Sequence, residues 1–288
     1  MRRLSLRPLS SCLLSLCLLG LAGRADAQLR DAQVSDTQVR VAQVRDAKLR
    51  DARPRDARLP GSAFMGADTL AMQRDDSQNP GMLWVKGGEA LWSQAPASSG
   101  KSCAACHGEA ANSMKGVAAR YPAFDAASGL PVNLQQRINL CREKQQKAAP
   151  WKLESEDLLS LEAYIALQSR GLPAAPPQDA RLDPFAERGR ARYFQRLGQL
   201  NLSCAQCHDA RAGLHLGSAV IPQAHPGGYP VYRLEWQAMG SLQRRLRNCL
   251  SGVRAAAWPL GATELVELEL YLSRRGAGME MEAPGVRP

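Results

Sequence analysis

The chain has 288 residues, 45% of them hydrophobic and 22% charged, with eight cysteines and a formal charge of +10. That hydrophobic share supports a buried core, and the length fits one large domain or two ordinary ones. No aromatic-basic interleaving marks a nucleic-acid platform, and the cysteines are not scattered as in a disulfide-rich scaffold, so both classes are set aside.

Residues 1–27 read as a secretory signal. Arg2, Arg3 and Arg7 charge its start, Cys12 to Ala22 form a short apolar run, and Ala25-Asp-Ala27 supplies an A-x-A cleavage site. Leu16 before Cys17 argues against a lipid-modified cysteine. Cleavage removes Arg2, Arg3, Arg7 and Arg24 against Asp26, so the +10 falls to about +7. A basic surface of that size suits small anions or an acidic protein partner.

Residues 26–60 run as seven pentapeptides, from DAQLR to DARLP. Five residues advance a helix by about 140°, so no apolar stripe forms, and Pro54 and Pro60 interrupt any β-helical stacking. Residues 28–60 are therefore expected to be a charged low-complexity linker without chemistry of its own.

Residues 61–175 are expected to form a first domain. Helices are predicted over Met82–Ser93, Asn133–Glu143 and Glu154–Arg170, the last with Leu158, Leu161, Ile165 and Leu167 on its apolar face. Between the first two lies Cys103-Ala-Ala-Cys-His107. The Pro/Ala-rich stretch 172–183 reads as a boundary.

Residues 176–288 are expected to form a second domain that repeats the first. Cys204-Ala-Gln-Cys-His208 repeats the pentad. Gly88 and Gly189 each stand 15 residues before the first pentad cysteine, and Trp92 and Tyr193 each stand 11 before it. Tyr121-Pro122 begins 20 residues before Cys141, as Tyr229-Pro230 does before Cys249. Arg137 and Arg245 each lie four before those cysteines, and a helix over Glu264–Arg275 answers Glu154–Arg170. The second half differs by a loop seven residues longer, spanning Ala210 to Gly228. The fold expected is mainly α: two tandem cytochrome c-like haem domains related by internal duplication.

C-x-x-C-H is the attachment motif for haem c. A zinc site would need two more ligands per pentad, and a thioredoxin-type site a βαβ frame, neither of which is present. Two covalent haem c groups are expected, held by Cys103 and Cys106 and by Cys204 and Cys207, with His107 and His208 as proximal iron ligands. For the opposite side of each iron, Met114, Met239, His215 and His225 are available, and so are Cys141 and Cys249. The equivalent placement of the two cysteines favours thiolate ligation, while a Cys141–Cys249 disulfide is the alternative. A thiolate ligand lowers the reduction potential and suits sulfur chemistry. Arg244, Arg245, Arg247 and Arg254 gather around Cys249, and Arg245 shares its helix face. A guanidinium there can hold an oxyanion beside the sulfur. Arg137 bears the same relation to Cys141. His225, in the longer loop, is a candidate acid or base.

Residues 80–288 resemble the SoxA subunits of the SoxAX cytochromes, from the thiosulfate-oxidising Sox system. The resemblance rests on the pentads, Arg137-Ile-Asn-Leu-Cys141-Arg-Glu143, Gln168-Ser-Arg-Gly171, Pro222-Gln-Ala-His225-Pro-Gly-Gly-Tyr-Pro230, Tyr232-Arg-Leu-Glu-Trp236, and Arg244-Arg245 ahead of Cys249. It implies a periplasmic dihaem cytochrome that works as an L-cysteine S-thiosulfotransferase. The partners implied are a SoxX-like monohaem cytochrome and a SoxYZ-like carrier, with thiosulfate as substrate. Cys249 falls on the family's catalytic cysteine ligand, which can carry an extra sulfur, Arg245 on its catalytic arginine, and Cys141 on the first haem's ligand. A thiosulfate dehydrogenase making tetrathionate, a plain dihaem electron carrier and a dihaem peroxidase are the other activities these features allow.

Overall fold

The computed structural model describes residues 57–98 and 100–288. The expected signal peptide, and the linker up to residue 56, lie outside the described residues. From Arg58 to Pro288 the chain is one compact unit. No described helix is long and apolar enough to cross a membrane.

Two crossed helix pairs carry this unit. In the first half α1 (Ala67–Arg74) leads to α2 (Gly81–Ser93), the pentad helix α3 (Cys103–His107), and a short α4 (Ala110–Ser113). Then follow the hairpin β1 (Ala123–Asp125) and β2 (Leu130–Val132), α5 (Leu134–Lys144) and α6 (Glu156–Leu167). In the second half the order is α7 (Asp183–Phe194), the pentad helix α8 (Cys204–His208), and the hairpin β3 (His215–Leu216) and β4 (Ala219–Val220). It closes with β5 (Val231–Arg233), β6 (Ala238–Gly240), α9 (Leu242–Gly252), α10 (Thr263–Arg275) and β7 (Gly285–Arg287). The four helices expected from periodicity are thus present, each within a few residues of its anticipated ends. The strands were not anticipated.

Glycine lets each pair close. A Cβ on Gly88 of α2 would overlap the Ser160 carbonyl of α6, and one on Gly189 of α7 would overlap the Glu267 carbonyl of α10. Tyr164 and Tyr271 press on the same two glycines. The residue after each pentad histidine is tied back to the first helix of its pair. Trp92 Nε1 donates to the Gly108 carbonyl at 3.0 Å, and the Tyr193 hydroxyl donates to Asp209 Oδ1 at 2.8 Å. Serines cap both pentad helices, Ser102 accepting from the Ala105 amide and Ser203 from that of Gln206. Asn133 and Ser241 cap α5 and α9 likewise.

The halves interlock. The stretch 172–183 is paired rather than loose: Gly171 N donates to Met281 O, Met281 N to Leu172 O, and Ala174 N to Met279 O. β5 lies between antiparallel β6 and parallel β7, so the chain's last residues complete a sheet of the second half. The N-terminal segment packs there too, with Asn79 donating to the Pro284 carbonyl and Gln73 accepting from the Val286 amide. Residues 57–60, expected as the linker's end, are engaged: Arg58 donates to the carbonyls of Arg275 and Ala277, and Leu59 N to Gln223 Oε1.

A cleft of about 100 Å³ between the halves is lined by Tyr121, Leu134, Glu162, Tyr229, Leu242 and Glu269, among others. Glu162 accepts from Gln135 at 2.6 Å, and Glu269 from Asn133 and Gln243. Burial drives both carboxyls up, Glu162 to about 8 and Glu269 to about 7, against those hydrogen bonds.

Gly189→Ala should force α7 from α10. Overpacking of this kind costs about 1–3 kcal/mol, read as a lower thermal midpoint; an unchanged midpoint would show room to spare at the crossing. The two glutamates stay protonated in the fold but ionise above about pH 4.5 once unfolded, so stability falls as pH rises toward 7 and 8. Glu162→Gln and Glu269→Gln should each flatten that fall in chemical denaturation across this range; a slope equal to wild type in both would contradict the assignment.

Candidate functional site

Each pentad meets one further thiol. In the first half a cleft of about 310 Å³ is lined by Cys103, His107 and Cys141, with Trp92, Val117, Leu134, Ile138, Leu161 and Ile165 as apolar walls. The His107 ring lies 5.8 Å from the Trp92 ring, centroid to centroid. Cys141, on α5, stands within electrostatic reach of Cys103 and Cys106. Burial pushes its thiol up, with Cys106 adding to the effect.

In the second half Cys249, on α9, faces α8. The His208 side chain comes close enough to hydrogen-bond its thiol. On the other side of the ring, His208 Nδ1 lies 2.7 Å from the Pro222 carbonyl. A carbonyl only accepts, so Nδ1 carries the proton and Nε2 is the nitrogen left to act as a ligand. Burial raises the Cys249 thiol, but His208 and the cations Arg245 and Arg233 outweigh it and bring the thiol below its usual value. All six described cysteines are free, and Cys141 and Cys249 each face their own pentad rather than one another.

The two sites differ in charge. Arg137 Nη2 binds Asp125 Oδ1 at 3.0 Å, so the first site's arginine is neutralised. Asp125, at the end of β1, is further held by Ser128 through its hydroxyl and amide. Arg245 is half-buried and forms no salt bridge among the described residues, although Cys249, Tyr229 and Glu235 lie within its field. The residue matching Asp125, four after its Tyr–Pro, is Arg233.

The other candidates go elsewhere. Arg244 lies over the Trp236 ring at 4.2 Å, and Arg244 and Arg247 line a separate cleft with Glu154 and Leu260. Arg254 turns the chain after α9 at φ 57°. Of the methionines, Met114 lines the first cleft beside Cys141. Met239 is core, buried against Val85, Leu159 and Ala163. His215 is exposed on the β3–β4 hairpin. His225 is half-buried with Nδ1 2.7 Å from the Leu59 carbonyl, and burial lowers its basicity. Asp125 escaped the sequence reading, and Pro222 and Arg233 entered it only within motifs, without a role at the site. Asp125 and Arg233 are visible there once the halves are aligned on Tyr–Pro.

The donor set fits a covalent haem: paired thiols one helical turn apart, an imidazole following them, and beside the first pair an apolar cleft within the usual size range for ligands. These are the sites of a c-type cytochrome. Residues 87–174 match the family model for the SoxA/TsdA cytochrome c domain. The L-cysteine S-thiosulfotransferase subunit SoxA of Pseudaminobacter salicylatoxidans is 39% identical over 230 residues, 80% of each chain. That of Rhodovulum sulfidophilum is 35% identical over 227 residues, 79% of each. The crystal structure of SoxXA from P. pantotrophus contains a chain 33% identical to this one with a TM-score of 0.78, covering 84% of this chain and 90% of its own. The chain belongs to the SoxA family of L-cysteine S-thiosulfotransferase subunits.

Asp125 is held below the usual carboxylate range by Ser128, with Arg137 contributing. Its stabilisation is present at neutral pH and lost as pH falls through its lowered value. Asp125→Asn should therefore lower the thermal midpoint at pH 7 and converge with wild type in acid; an equal deficit at both ends of the titration would rule this out.

Proposed function

We propose that the chain is a periplasmic cytochrome with two haem c groups that joins thiosulfate oxidatively to a cysteine of a SoxYZ-type carrier. A SoxX-like monohaem cytochrome is its partner, as the match to SoxXA suggests. Residues 61–175 and 176–288 are read as tandem copies of one haem domain. The equivalent crossings at Gly88 and Gly189, and the equivalent ties at Trp92 and Tyr193, support that reading.

The carrying observation is the contrast between the two sites. Both set a cysteine opposite a pentad, but only beside Cys249 does the arginine one turn before it lack a carboxylate partner. The second half is accordingly the reacting one.

Cys204 and Cys207 would hold the second haem, with His208 and Cys249 as its ligands; Cys103, Cys106, His107 and Cys141 would serve the first. Bound haem supplies the electron acceptor. A carrier thiol and thiosulfate together give a thiosulfate-capped cysteine, one proton and two electrons. Arg245 draws the thiosulfate dianion to the site and directs its sulfonate by charge-assisted hydrogen bonds. That places the outer sulfur at Cys249: a transient sulfur–sulfur bond forms there as two electrons leave, and it breaks when the carrier thiolate takes the thiosulfate group and the Cys249 thiolate departs, the carrier thiol having lost its proton. The Pro222 carbonyl fixes the His208 ring throughout.

Cys249→Met should keep two haems per chain by haemochrome assay yet lose conjugation on the order of 100-fold or more. Full conjugating activity in that variant would refute the role of Cys249. Tetrathionate formed without the carrier would instead identify a thiosulfate dehydrogenase.

A further inference from the structure

The second site holds a second cation. Arg233, at the end of β5, is only 9% exposed. Its one carboxylate contact is Glu235 at 3.3 Å, and that glutamate side chain is 51% exposed. Its Nε is buried without a hydrogen-bond partner. The guanidinium packs 5.1 Å from the centroid of the Trp236 ring, which fixes its plane. Arg233 and Arg245 lie within one another's field. Both cations act on Cys249.

A buried guanidinium and a half-buried one, with an exposed glutamate as the nearby carboxylate, are an unfavourable arrangement unless an anion joins them. The first half shows the balanced alternative, because there the same strand position is Asp125 and closes an ion pair with Arg137. A tetrahedral dianion carries the charge and the acceptor oxygens to satisfy both cations. We infer that Arg233 and Arg245 together form a two-guanidinium cradle for a divalent oxyanion beside the Cys249 sulfur, with Arg233 setting the preference for a dianion over a monoanion. This rests on the reading of the second half as the thiosulfate site, which it deepens by adding a second anion-binding residue.

The test uses the oxidised holoprotein with its partner subunit and no carrier, titrated calorimetrically with thiosulfate, sulfate and nitrate. Wild type should bind the dianions at least about tenfold more tightly than nitrate. Arg233→Gln should lose about ten- to a hundredfold in dianion affinity, with nitrate binding little changed and haem content and electron paramagnetic resonance spectra intact. Arg233→Lys should recover part of the loss. In turnover, Arg233→Gln should raise KM for thiosulfate while kcat moves far less. A merely structural role on Trp236 predicts no such discrimination, and wild-type dianion affinity in Arg233→Gln overturns the inference. Should both variants lose haem, the wild-type comparison decides, since equal affinity for sulfate and nitrate also overturns it. Discrimination of anions without conjugation to the carrier would uphold the cradle and overturn the proposed reaction.

Discussion

Backbone-to-backbone contact at the two helix crossings is the constraint on which the structure depends. At Gly88 and at Gly189 a helix rests on the carbonyl of its partner with no space for a methyl group. That closeness sets the depth at which each pentad helix sits, because Trp92 and Tyr193, one turn further along, hold the residue after each pentad histidine. The site is thus tied to the scaffold through main-chain packing, which tolerates less adjustment than side-chain packing does.

On this repeated frame, charge separates the two sites. Asp125 turns one arginine inward as half of an ion pair, and Arg233 at the matching position leaves the other arginine facing a thiol. A single strand position therefore divides an ion-paired environment from a cationic one. The cost of keeping like charges together is carried by packing around them, notably the aromatic face of Trp236 against both Arg233 and Arg244.

Much of this was legible from residue order. Local signals sufficed for the pentads and for the long helices, where apolar spacing and caps agree over several turns. They did not suffice for β5, β6 and β7, each three residues long and defined by partners far away in the chain. Met239 read as a free ligand only because its burial depends on α2 and α6 of the other half. His225 read as a loop residue only because Leu59, its partner, is 166 positions away. Arg245 and Arg137 looked alike because the aspartate that distinguishes them lies on another strand.

The parallel pairing of β5 with β7 has a consequence for what the second half depends on. Arg233 sits opposite Arg287, one residue from the chain's end. The strand bearing that cation is therefore held on one edge by residues far along the chain. The first pentad, by contrast, has its helix pair complete by Leu167. The second half is in this sense a long-range product: the strand carrying Arg233 is finished by a segment more than fifty positions away, whereas the first helix pair closes within the first half, so removing residues 285–287 would bare one edge of β5 and leave the Gly88 crossing untouched.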